Sequence, residues 1–243
     1  MTRLGVIYPG GGAEQDYYLF GERHGLRMFL VGSRIPAGDD HAVDALLQTS
    51  RMENILEAAA RFGTLDPDVV VWACTSGSFI AGRDGAEQQV VGLRTATGVP
   101  ATSTSLAFVD ALVALGTPRV AVVATYPEPA SHALASFLNA FGVTVASLQW
   151  LDAASGLDAA LIADERLAEA VRHAAAERPD AVVIPDTALP TMARIGWLES
   201  IAQCPVVTAN QVTLWAALGL VGHPLTTEEH GRLFNLPFRE YVA

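Results

Sequence analysis

The chain has 243 residues, 51% of them apolar and 17% charged, which fits a globular fold with a sizeable core and excludes a disordered chain. Its formal net charge is −11 with no basic patch, so a nucleic-acid partner is not expected. The longest apolar runs are short and interrupted, so no membrane partner is expected. The start, Met-Thr-Arg leading into an apolar run, lacks a signal-peptide layout and sets a cytoplasmic location as the expectation.

An apolar run at 4–8 reads as the first strand and ends at Pro9-Gly10-Gly11-Gly12. A second run at 28–31 precedes a helical pattern near 41–62, and a third at 68–73 precedes one near 84–96. A short β-like run after Pro100 leads into a helix near 105–116. The second half continues with strands at 120–124, 144–150 and 181–184 and helices near 130–141, 164–177 and 211–221, the last preceded by a β-like run after Pro205. Strands alternating with helices predict an α/β fold of parallel sheets covered on both faces.

The two halves repeat. PDVVVWACTS at 67–76 matches PDAVVIPDTA at 179–188, 112 residues later (179 less 67). LGVIYPG at 4–10 matches VAVVATYP at 120–127, and GVPATSTS at 98–105 matches CPVVTANQ at 204–211. Three matched elements in one order predict two pseudo-symmetric Rossmann-like domains. The expected boundaries are 1–99 plus 208–243 for the first domain and 100–207 for the second. Open α/β sheets bind ligands at the carboxyl ends of their strands. The offset carries Cys74 onto Asp186 and Thr75 onto Thr187, so Cys74 and Asp186 are expected to face each other across a cleft between the domains.

The basic residues narrow the chemistry. All fifteen are Arg, so an internal pyridoxal-phosphate aldimine, a Walker A lysine and a lysine base are excluded. No HExxH or paired CxxC suggests a metal, and the six histidines show no ligand spacing and read mostly as surface residues. Gln15 stands where a dinucleotide fingerprint needs glycine, and no G-x-S-x-G surrounds Ser76 or Ser78. The four tryptophans read as core or cleft-wall residues.

Two acid/base groups flanking a substrate are what moving a proton between the faces of a carbon requires. Cys74 is either a small buried hydrophobe or a thiolate nucleophile and base, placed before a Thr-Ser-Gly-Ser turn suited to anions. Asp186 is either a turn or cap residue or the opposing acid or base. Tyr126, at a strand end, either packs or donates to an oxyanion. Cys204, before an apolar run, reads as structural.

ACTSGSF at 73–79, ATYPEP at 124–129 and IPDTALPT at 184–191 together resemble the aspartate/glutamate racemase superfamily, in its branch of maleate cis-trans isomerases, arylmalonate decarboxylases and ectoine-utilisation proteins. The resemblance runs over nearly the whole chain and is most specific around Cys74. It implies paired α/β domains, no cofactor, a small carboxylate substrate and a catalytic Cys74. It also implies a substrate pocket from Thr75, Ser76, Tyr126 and Thr187, with Pro9 and Gly10 lining the cleft. A homo-oligomer fits the apolar content and the habit of such relatives. In maleate isomerases the position of Asp186 holds a second cysteine; arylmalonate decarboxylase keeps that cysteine and has glycine in place of Cys74. This chain has neither pattern, and its Pro9-Gly10-Gly11-Gly12 replaces a Pro-Ser-Ser-Asn turn. The expected activity is an isomerase or racemase, with a malonate-type decarboxylase and a non-catalytic carboxylate binder as alternatives.

Overall fold

The structure is a computed structural model that describes residues 1–223 and 225–238; the last five residues of the expected first domain lie outside the described residues. The first half comprises β1 (Arg3–Tyr8), α1 (Glu14–His24), β2 (Arg27–Gly32), α2 (Val43–Thr49), α3 (Met52–Ala60), β3 (Val69–Trp72), α4 (Thr75–Phe79), α5 (Gly82–Thr97), β4 (Ala101–Ser103) and α6 (Thr104–Leu115). The second comprises β5 (Arg119–Ala124), α7 (Glu128–Ala140), β6 (Thr144–Trp150), α8 (Gly156–Ala160), α9 (Asp164–Ala176), β7 (Ala181–Ile184), α10 (Ile195–Ala202), β8 (Val206–Thr208) and α11 (Ala209–Leu220). Short 3₁₀ turns at Glu228–His230 and Arg232–Asn235 follow.

Both sheets are parallel and four-stranded, in the orders β2-β1-β3-β4 and β6-β5-β7-β8, so the repeat in sequence is a repeat in topology. The central strands β3 and β7 are buried at every position, as unbroken apolar runs require when helices cover both faces. The outer strands β2 and β6 are only partly buried. The inner faces of both sheets share one apolar core that runs through α1, α6, α7 and α11. Separate clusters fill the outer faces, under α3 and α5 on the first sheet and under α9 and α10 on the second.

Polar pins lock the halves together. Asp16 on α1 accepts from Thr191 N at 3.0 Å, Met192 N at 3.2 Å and Asn210 Nδ2 at 2.9 Å. Tyr17 Oη donates to Asn210 Oδ1 at 2.8 Å, and the Thr104 and Thr213 hydroxyls meet at 2.7 Å between α6 and α11.

The helix expected over 41–62 is two helices. It breaks at Ser50-Arg51, where the Asn54 amide turns back to Gln48 O and Gln89 reaches across to Ser50 O. Helix α1 has no clear apolar period because its buried face is Asp16, Tyr17, Phe20 and Gly21. Of the tryptophans expected inside, Trp72 and Trp215 are buried, but Trp150 and Trp197 are exposed. Of the histidines read mostly as surface residues, His41 and His230 are buried. Among the described residues no helix is long and apolar enough to cross a membrane.

Candidate active site

Cys74 and Asp186 each lie two residues beyond the end of a central strand, β3 and β7. Cys74 is the N-cap of α4: its backbone is extended and its sulfur accepts from Gly77 N at 3.2 Å. The Ser76 hydroxyl lies 3.7 Å from the same sulfur. On the other side Asp186 accepts from the Thr125 hydroxyl through Oδ2 and from Ala188 N, at 2.8 Å, through Oδ1. Both residues are buried, at 4% and 3% exposure, and they line one cavity of about 40 Å³. A space of that size holds only a few water-sized groups.

Burial pushes the Cys74 thiol up to about 11; the Gly77 N–H and the Ser76 hydroxyl pull the other way, and the negative charges of Asp186 and Asp39 add to the rise. Cys74 therefore stands as a thiol at neutral pH. Tyr126 is raised as well, by burial first and then by Asp186 and Cys74. Cys204 is also raised by burial, and it lies on the outer face of the second sheet, away from this cavity.

The cavity brings together six of the eight residues expected at the site: Pro9, Gly10, Cys74, Ser76, Asp186 and Thr187. Thr75 and Tyr126 do not line it. Thr75 is buried beneath, its carbonyl accepting from Ser105 and its hydroxyl lacking a partner. The Tyr126 hydroxyl donates to Pro185 O at 2.8 Å. The first-strand end is fixed by Tyr8, whose hydroxyl donates to Thr187 O at 3.2 Å and accepts from Ala13 N at 3.2 Å.

The roof of the cavity was not foreseen. The segment 33–42, between β2 and α2, crosses from the first half to the second and brings Asp39, Asp40 and His41 to the site. It is latched there: His41 N donates to Ala154 O at 2.8 Å, Asp40 forms an antiparallel bridge with Ser155, and Asp39 Oδ2 accepts from Leu157 N at 2.9 Å. The sequence signal was the string Gly-Asp-Asp-His at 38–41, polar residues in a loop that follows a strand.

Two other features lie elsewhere. A groove of about 530 Å³ beside α1 is larger but holds no nucleophile, and its buried Asp16 is committed to three donors. Among the described residues the one cluster of metal-ligand type is His24, Glu229 and His230. There the two imidazoles hydrogen-bond each other at 2.8 Å and Arg23 occupies the Glu229 carboxylate.

The family pattern for arylmalonate decarboxylase matches residues 45–234. The chain belongs to that family. Arylmalonate decarboxylase from Bordetella bronchiseptica is 29% identical over 217 residues, covering 84% of this chain and 83% of that one. Maleate isomerase from Nocardia farcinica is 26% identical over 198 residues, covering 79% and 77%. A solved structure of Nocardia farcinica maleate cis-trans isomerase, a cysteine-to-serine variant with a covalently bound succinylcysteine intermediate, superposes with a TM-score of 0.81 at 22% identity over 96% of this chain and 98% of that one. The fold of this family is thus the paired parallel-sheet architecture described above.

Proposed function

We propose that this family member is a cofactor-independent isomerase or racemase acting at a carbon next to a carboxylate of a small carboxylic or dicarboxylic acid. The observation that carries the reading is that Cys74 and Asp186, at equivalent strand ends of the two sheets, line one cavity. A substrate between them meets a thiol on one face and a carboxylate on the other. Asp186 takes the proton from one face, and Cys74, protonated at neutral pH, delivers one to the opposite face. Where the substrate is unsaturated, the sulfur instead adds to one alkene carbon while its proton passes by way of Asp186 to the other; the resulting single bond rotates, and loss of that proton with cleavage of the C–S bond returns the alkene and the thiol. The covalent succinylcysteine in the maleate isomerase supports this second route. Ser76 and Thr187, which line the cavity, supply the hydroxyls that hold the carboxylate and enolate charge, while Thr75 and Tyr126 pack behind them. Cofactor independence rests on the residues themselves: a thiol, a carboxylate and hydroxyl donors suffice for proton transfer or addition.

The match to arylmalonate decarboxylase favours a second reading, loss of carbon dioxide from a malonate-type acid followed by protonation from Cys74. Proton NMR in deuterium oxide separates the two. The panel is maleate, aspartate, hydroxy acids and aryl- or alkyl-malonates, with Cys74→Ala and Asp186→Asn variants alongside. Deuterium entry or cis-to-trans conversion at constant mass, lowered about 100-fold or more in either variant, supports the isomerase. Carbon dioxide release moves the assignment to the decarboxylase. Binding without turnover across the panel leaves a carboxylate-binding protein.

A further inference from the structure

A second cluster of chemically competent side chains lies at the end of α1. His24 is the last residue of that helix, and His230 ends the 3₁₀ turn Glu228–His230, 206 residues away in sequence. Their Nε2 atoms meet at 2.8 Å. With an oxygen of Glu229 these nitrogens form a set of three ligand atoms that all lie within 4.8 Å of one another. Ligand atoms around a tetrahedral zinc ion stand about 3.3 Å apart, so small side-chain rotations bring all three onto one ion.

Stability alone does not account for His230. Its ring is buried, at 8% exposure, against Phe20 and Phe234, and its Nδ1 has no partner. Whichever ring nitrogen holds the proton, Nδ1 is unsatisfied in an apolar setting, as a bare lone pair or as an orphan N–H. Phenylalanine would fill the same space without that cost. What only histidine brings is Nε2, and Nε2 faces a second imidazole. The surroundings suit a cation. The last carbonyls of α1 present the negative end of its dipole at His24. Arg23 holds both oxygens of Glu229, but each carboxylate oxygen has two lone pairs, so one on each remains for an ion. The Arg23 charge opposes the ion, and with its side chain 61% exposed that charge is screened by solvent. Glu229 and His230 also line the groove of about 530 Å³ beside α1, together with Glu22, which gives an ion a path in.

We propose that His24 Nε2, His230 Nε2 and a Glu229 oxygen bind one divalent cation of the zinc class, which clasps the C-terminal turns to α1. Two imidazoles and a carboxylate select zinc and its transition-metal neighbours over calcium and magnesium, which take oxygen ligands. Each ring binds through a bare Nε2 with its proton on Nδ1, so the neutral pair gives up its mutual hydrogen bond and releases no proton. None of the three ligands except through the fold meets the Cys74 cavity, whose lining they do not share, so the ion stands outside the chemistry proposed there.

The probe is zinc chloride, titrated by calorimetry at pH 7.5 into the untagged full chain after a chelator has stripped it. One ion per chain is expected to bind, raising the melting temperature by at least about 3 °C at saturation. Cobalt(II) in its place is expected to show the visible absorption of a nitrogen–oxygen site with no thiolate charge-transfer band. His24→Ala and His230→Phe are each expected to weaken zinc at least about 100-fold, and Glu229→Gln about tenfold, while Cys74→Ala binds as the wild type does. His230→Phe keeps the ring contacts and His24→Ala changes a partly buried helix end, so the two variants do not share one way of failing to fold. No saturable zinc binding, undiminished binding in either histidine variant, or loss of binding in Cys74→Ala overturns the proposal. Turnover does not enter the measurement, so either result leaves the carbon-acid reading as it stands.

Discussion

At the scale of single residues, the geometry of the Cys74 sulfur is set by its neighbours in the turn. Gly77 gives up its N–H to that sulfur, and a β-carbon at Gly77 would lie 2.9 Å from Trp72 Cζ2 and 3.0 Å from Cys74 Sγ. Trp72 is fully buried and cannot retreat, so the sulfur must give way. Gly77→Ala gains about 1 kcal/mol of helix propensity but overpacks at a cost of about 1–3 kcal/mol. The expected net result is a chain destabilised by about 1 kcal/mol in urea unfolding, with turnover lost far beyond that, because the thiol is displaced from the substrate. An alanine variant with wild-type turnover would show that Sγ need not sit where the Gly77 N–H holds it. Cys74 and Asp186 were legible in sequence because the repeat aligned them. His41 was not: an isolated histidine in a loop carries no periodicity, and its burial depends on a crossing to Ala153 and Ala154 that only the folded chain makes.

At the scale of elements, the paired helices α6 and α11 join the halves, each starting directly after the last strand of its sheet. Their starts are capped alike, Ser103 accepting from Leu106 N and Thr208 forming a reciprocal capping box with Gln211. These helices were legible as Ala/Leu-rich runs, and β4 and β8 as short β-like runs after Pro100 and Pro205. Helix α1 and helix α10 were not read: the inward face of α1 carries an aspartate and a glycine, and α10 is only Ile195–Ala202, too short for a period to emerge. Within the α6–α11 contact, Thr104 and Thr213 are fully buried and hydrogen-bonded to each other, although Thr213 also donates to Ala209 O. Removing one hydroxyl leaves its partner desolvated, whereas removing both leaves an apolar contact of the same shape. Thr104→Val alone is therefore expected to cost about 1–3 kcal/mol, and adding Thr213→Val is expected to recover a good part of it. A double variant measured by urea unfolding as the plain sum of the two singles would mean the hydroxyls do not act as a pair.

At the scale of the whole molecule, the C-terminal turns close over α1 through His230, whose ring packs on Phe20 and Phe234 and whose Nε2 meets His24. The carbonyl of His230 accepts from Gln211 on α11, so one residue ties the end of the described chain to both halves. Burial first, and then the neighbouring His24, pushes the His230 imidazole down to about 4. In the unfolded chain the same ring takes its proton near about 6.5. As pH falls through the window from there to about 4, the unfolded chain binds a proton that the folded chain refuses, and the fold loses stability; above it the contribution is complete. His24, lowered chiefly by burial, acts with the same sign. Asp16 acts with the opposite sign, because burial raises its carboxyl and the folded chain holds that proton more tightly. His230→Phe keeps the ring contacts and removes the titration, so it isolates the histidine from the aspartate. Urea unfolding between pH 7 and 4.5 is expected to show the wild type losing on the order of 1–2 kcal/mol more than the variant, allowing for solvent screening of a ring near the surface. Parallel curves for the two proteins would mean that the C-terminal turns already open in mild acid, leaving the ring free to protonate without unfolding the rest.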